Sequence, residues 1–228
     1  MTAEPEQVRE MFDRISPSYD RMNLLMSGGM DGRWRRFTAA CAGVGIGDHA
    51  LDVCCGTGDL SMALLDRVSS SGRVVGLDFA DEMLSVARTK STIVEWMQGD
   101  ALDLPFGDDE FAAATIGFGM RNLADHGRGF AEMARVVRPG GRVVCLELTP
   151  PPAYIAPFSQ LWTDRLVPLL GRLVAGESAA YTYLPKSVHR FPPAAELADI
   201  MRSVGLERVQ WKLLNMGVIA VHVGTVPG

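Results

Sequence analysis

Four cysteines are all that this 228-residue chain carries: Cys41, Cys54, Cys55 and Cys145. None of them shows zinc-ligand spacing, so a disulfide-stapled secreted framework and a zinc module are both excluded, and reduced core thiols are expected. An excess of basic charge is missing too. Lys and Arg number 22 against 27 Asp and Glu, a net charge of -5 that argues against nucleic acid as the main partner. The one basic cluster, Arg33-Trp-Arg-Arg36, reads either as a solvated helix face or as an anion or membrane contact. No apolar run reaches membrane-spanning length. The first ten residues are polar and acidic rather than leader-like, so a cytoplasmic location is expected, with attachment at a membrane surface left open. Internal repeats and low-complexity tracts are also lacking.

What is present is a core. At 47% hydrophobic and 21% charged residues the chain suffices for one α/β domain, read as residues 1–228. Residues 1–46 read as a helical lid, with Val8, Met11 and Phe12 at helical spacing and Trp34, Phe37 and Cys41 as a second stripe. From residue 47 to 149 strands and helices alternate. Strands are predicted at 50–54, 73–78, 93–98, 111–117 and 141–148, with helices at 57–68, 81–90 and 127–137. Asp81 is the expected N-cap of the second of these helices, and Pro139-Gly140-Gly141 the stop of the third. Such alternation implies a doubly wound, mostly parallel sheet. Residues 150–205 read as helices covering a substrate, and 207–213 with 218–223 as a hairpin closing the sheet edge.

The chemistry centres on Asp52-Val-Cys54-Cys-Gly56-Thr57-Gly58-Asp59, where an apolar strand turns into a helix. Strand, glycine turn and helix place backbone N–H groups and a positive helix end at one spot. A dinucleotide fingerprint would need a small residue at Asp59. The spacing fits a two-residue step instead, with Cys54 in the first slot. A plain tight βα corner is the competing reading. Two acids weigh against it: Asp78 ends the second strand, suited to a ribose diol, and Asp100 follows the third, suited to an exocyclic amine. Each alone serves equally as a turn residue; three ligand-type positions at successive strand ends favour S-adenosylmethionine over NAD.

With these residues the chain resembles a class I, Rossmann-like S-adenosylmethionine-dependent methyltransferase, and more narrowly the ubiquinone/menaquinone C-methyltransferase family. The matching stretches include Phe12 to Asn23, Ser27 to Trp34, Leu51 to Leu60, Gly119 to Asn122, Arg135 to Arg142 and Tyr181 to Pro192. The resemblance implies a seven-stranded sheet and a cofactor site built from Asp52, Cys54, Gly56, Thr57, Gly58, Asp78, Phe79, Met83, Asp100, Ala101 and Gly117. It implies a lipid quinol as the acceptor, touched by Tyr19, Met22, Asn23, Tyr181 and Tyr183. Arg121 and Asn122 at the cleft lip are expected to stabilise a phenolate or position water, and no metal is expected. His189 reads either as a base or as a structural hydrogen bond at a helix end, and Tyr19 either as lid or as packing. Met11, Met22, Met26 and Met30, with Phe158, Leu161, Trp162, Leu166, Leu169 and Leu170, read as core or as a groove for an isoprenoid tail. Departures from the family pattern occur at Asp31, commonly histidine, and at Leu148-Thr-Pro-Pro-Pro152. Another aromatic or polyketide-like acceptor, a non-methylating relative that keeps the cofactor, and a homodimer therefore stay open.

Overall fold

The computed structural model describes residues 5–152, 155 and 179–228. Apolar strands alternate with amphipathic helices, and the result is one seven-stranded sheet. Its strands are β1 (His49–Val53), β2 (Arg73–Asp78), β3 (Glu95–Gln98), β4 (Phe111–Gly117), β5 (Val137–Leu148), β6 (Glu207–Leu214) and β7 (Ile219–Thr225), ordered β3-β2-β1-β4-β5-β7-β6. The first five run parallel; β7 pairs antiparallel with β5 and with β6, which makes the edge hairpin. The order reverses at β1, with β2 on one side and β4 on the other. The carboxyl ends of these strands therefore splay open into a crevice.

Side-chain alternation gives each face of the sheet its own core. Leu51, Val53, Leu77 and Ile116 face α6 (His126–Arg135) and α8 (Ala194–Ser203), from which Phe130, Met133 and Leu197 come. Ala50, Val74 and Val144 face α3 (Asp31–Cys41) and α4 (Asp59–Val68), meeting Ala39, Leu60 and Leu64. A third cluster joins α1 (Pro5–Ile15) and α2 (Tyr19–Ser27) to α5 (Asp81–Lys90) and α7 (Ala179–Arg190) through Val8, Met11, Met22, Met83 and Leu184.

Three expectations need correcting. Asp81 is the first residue of α5 and not its cap, because Asp78 reaches forward to take the Ala80 N–H at 2.9 Å. Pro139-Gly140 does not stop a helix. α6 ends at Arg135 and β5 already pairs with Phe111 at Val137, so the Pro-Gly step is an irregularity in the strand, with Gly140 at φ +77°. Residues 194–203 do not cover a substrate, because Leu197, Ala198 and Met201 are buried in the sheet core. The sequence-derived groove residues from Phe158 to Leu170 lie outside the described residues.

Candidate active site

Two cavities meet above the carboxyl ends of the parallel strands. The smaller, about 120 Å³, is built strand by strand. Cys54 and Gly56 follow β1, Asp78 and Phe79 close β2, Asp100 and Ala101 lie beyond β3, Gly117 ends β4, and Met83 rises from α5. The backbone at Cys54 has φ +54°, the left-handed region that glycine favours, which is why a cysteine sits there at some conformational cost. At Gly56, φ +56°, an added Cβ would meet nothing nearer than the Tyr19 ring at 4.0 Å, so space lies open above the loop.

Asp78 is gripped by its own loop: one oxygen accepts the Gly56 N–H at 2.8 Å, the other that of Ala80. Burial raises its pKa to about 6 against those backbone hydrogen bonds. Asp100 accepts the Leu102 N–H at 2.8 Å. Burial likewise drives the Cys54 thiol well up, and four carboxylates push it further: Asp78, Asp52, Glu147 and Asp100. The crevice is thus a region of negative potential with an acid at each of two strand ends and apolar walls. That set of acceptors fits the ribose hydroxyls, the adenine amine and the cationic sulfonium of S-adenosylmethionine.

The larger cavity, about 590 Å³, is largely apolar and opens beside the first. Met11, Met26 and Met30 line it, joined by Asn23, Tyr183 and His189. Phe12, Tyr19 and Phe118 line both cavities. Phe118 is held at φ +59° between Gly117 and Gly119, and its ring meets Trp34 edge-on with the Arg35 guanidinium 5.7 Å from its centroid. At this junction Arg121 faces the large cavity while its neighbour Asn122 faces the small one. The Arg121 Nη1 donates to the Phe118 carbonyl and, at 2.8 Å, to Glu147; arginine and glutamate side chains are only 7% and 1% exposed. Tyr183 donates to Asn122 at 3.3 Å, and burial raises its phenol pKa. The His189 Nδ1 lies 2.7 Å from the Pro185 carbonyl one turn back.

Four sequence-derived site residues are placed elsewhere. Strand alternation turns Asp52 to the Ala50 face, beneath α4, where it accepts from Ser61 at 2.6 Å and Thr115 at 3.0 Å; burial raises its pKa to about 7. Thr57 is buried, donates to Asp20 of α2 at 2.6 Å and lines neither cavity. Gly58 caps α4 against Trp96, whose ring carbon would stand 2.4 Å from an added Cβ. Met22 is fully buried in the cluster beneath the lid. Of Tyr181 only the backbone, in α7, is described. Sequence reasoning passed over Glu147 and Phe118. The signals were a carboxylate inside the apolar run Val143 to Leu148 and an aromatic flanked by two glycines.

The profile of the ubiE/COQ5 methyltransferase family matches residues 1–226. The chain belongs to that family. A demethylmenaquinone methyltransferase of Bacillus cereus (strain ATCC 10987 / NRS 248) is 44% identical, across 97% of this chain and 96% of its own. Among solved structures, a SAM-dependent methyltransferase from Thermotoga maritima superposes with a TM-score of 0.64 at 20% identity, covering 95% of this chain and 98% of that one. Phosphoethanolamine N-methyltransferase 2 of Haemonchus contortus, in complex with S-adenosyl-L-methionine, has a TM-score of 0.60 at 12% identity over 81% of this chain and 50% of its own. These likenesses confirm the class I methyltransferase fold read from the sequence.

Proposed function

We propose that this methyltransferase moves the methyl group of S-adenosylmethionine to a ring carbon of a prenylated demethylmenaquinol-type acceptor. The observation that supports it is the junction: a polar crevice suited to the cofactor and a large apolar cavity share Phe12, Tyr19 and Phe118, with Arg121 and Asn122 facing opposite sides. The name of the 44% identical relatives fits the same acceptor.

Bound in the crevice, the cofactor supplies an electrophilic methyl on a sulfonium. Asp78 and Asp100 would hold its adenosyl part, beside the Tyr19 ring that lines the same crevice. Holding donor and ring carbon in line provides much of the acceleration, since orientation of this sort is worth roughly 7–11 kcal/mol. His189 serves as the base. Its Nδ1–H donates to the Pro185 carbonyl, which leaves Nε2 as the ring nitrogen that would take the hydroxyl proton in the cavity His189 lines. The Arg121 guanidinium would stabilise the phenolate that results, whose ortho carbon would take the methyl and release the neutral thioether. Loss of the ring proton to water would restore the aromatic phenolate, which the protonated His189 would reprotonate, so that one proton is released overall.

Peripheral contact with a bilayer belongs to the same reading. Leu24, Leu25 and Met216 are exposed, and the last two line the apolar cavity. No helix among the described residues is long and apolar enough to cross a membrane. The decisive experiment incubates the protein with S-adenosylmethionine and a panel of reduced demethylated quinols, read by mass. A gain of one methyl on the ring is expected for the prenylated naphthoquinol. Cofactor binding without any methylated product would overturn the assignment.

A further inference from the structure

Glu147 is buried at the carboxyl end of β5, beside the larger cavity, and two of its three hydrogen bonds go to Arg121. Its Oε1 accepts from Arg121 Nη1 and from the Leu148 N–H, both at 2.8 Å, and its Oε2 accepts from the Arg121 backbone N–H at 3.2 Å. One carboxylate thus holds both the main chain and the guanidinium of Arg121. The guanidinium is not saturated by this, because its buried Nε has no partner among the described residues. Unpartnered buried donors are rare and call for an explanation. Here the arginine is fixed at one edge and keeps donor capacity at a cavity whose other walls are mostly apolar.

The charge balance matters as much as the geometry. A lone arginine in so apolar a cavity would be an uncompensated buried cation that attracts any anion. Paired with Glu147, it presents N–H donors with no net charge.

Resting on the phenolate-stabilising role proposed for Arg121, we propose that Glu147 is its positioning residue and that the neutral pair makes the cavity selective. It accepts uncharged phenolic rings, stabilises charge only as it develops on the ring oxygen, and excludes aromatic carboxylates.

The test compares two variants with the wild type, all loaded with S-adenosylmethionine. Glu147→Gln removes the charge; Glu147→Asp keeps it but withdraws the carboxylate by one methylene. Calorimetric titration with 2-naphthoate should show no binding to wild type or Glu147→Asp, and clear binding to Glu147→Gln. With the quinol acceptor, Glu147→Asp should lower kcat roughly tenfold to a hundredfold while KM stays within about threefold, the pattern of a displaced arginine and not of a lost binding contact. A folded Glu147→Gln that binds 2-naphthoate no better than wild type overturns the selectivity. If Glu147→Gln does not fold, Glu147→Asp decides alone: unchanged kcat, or a loss confined to KM, overturns the positioning role. Because the titration needs no turnover, its result stands apart from whether the quinol is the true acceptor.

Discussion

At the scale of single residues, protonation and donor placement decide what each group can do. Arg121→Ala removes the donor proposed for the developing oxyanion, so kcat should fall by about 10²–10³ while cofactor affinity stays within about twofold, checked by steady-state kinetics and titration. Asp78, at about 6, is a charged acceptor only above that value. Cofactor affinity should therefore drop as pH falls through 6, and Asp78→Asn should bind weakly with that dependence gone; equal slopes in the two proteins would refute the assignment. Asp52 has a different consequence. Burial places its folded pKa at about 7 against 3.8 in the open chain. Below about 4 both states are protonated. As pH rises towards 7 the unfolded chain ionises and the folded carboxyl resists, so its contribution is greatest in acid and is lost by neutrality. Asp52→Asn should flatten the fall in melting temperature between about pH 4 and 7.

At the scale of elements, the N-terminal helices are latched over the glycine loop by charge. Asp20 in α2 accepts from Thr57 at 2.6 Å and pairs with Lys90 of α5 at 2.6 Å, and Lys90 also holds Asp59 at the start of α4. Arg35 of α3 joins Asp59 at 3.5 Å. The pairs are partly solvated, so each is worth little to stability, yet together they tie four helices around the cofactor loop. Lys90→Met should speed cofactor release several-fold and weaken its salt dependence in stopped-flow measurements, with little change in melting temperature. Asp31, where the family commonly has histidine, belongs to this belt: it accepts from Ser27 and pairs with Arg35. Asp31 also lines the larger cavity, so its departure from the family pattern bears on both the lid and that cavity's wall.

At the scale of the whole molecule, the apolar cavity predicts a preference for long acceptors. Each methylene buried is worth about 0.8 kcal/mol, so a quinol without its tail should show a KM at least about tenfold higher than its prenylated counterpart. Equal KM values would remove the cavity from acceptor binding. The methionines at Met11, Met26 and Met30 suit such a ligand, since unbranched thioethers adapt to a flexible chain.

Much of this was legible in the chain alone, because it depends on local periodicity. Period-two apolar runs and helical stripes specified the parallel strands and their helices, and the strand-end positions of Cys54, Gly56, Asp78 and Asp100 anticipated residues that line one crevice together. Where two neighbouring residues face was not legible. Thr57 and Gly58 share the glycine loop with Gly56 but point away from the crevice, and Met22 shares α2 with Asn23 but is sunk in the core. Asp52 was recoverable in principle from strand alternation, yet its partners Ser61 and Thr115 come from other elements. The Arg121–Glu147 pair spans 26 positions and exists only because β4 and β5 lie side by side. Periodicity is a property of neighbours along the chain; the pairing of a buried charge is a property of neighbours across the sheet, and only the tertiary structure brings those together.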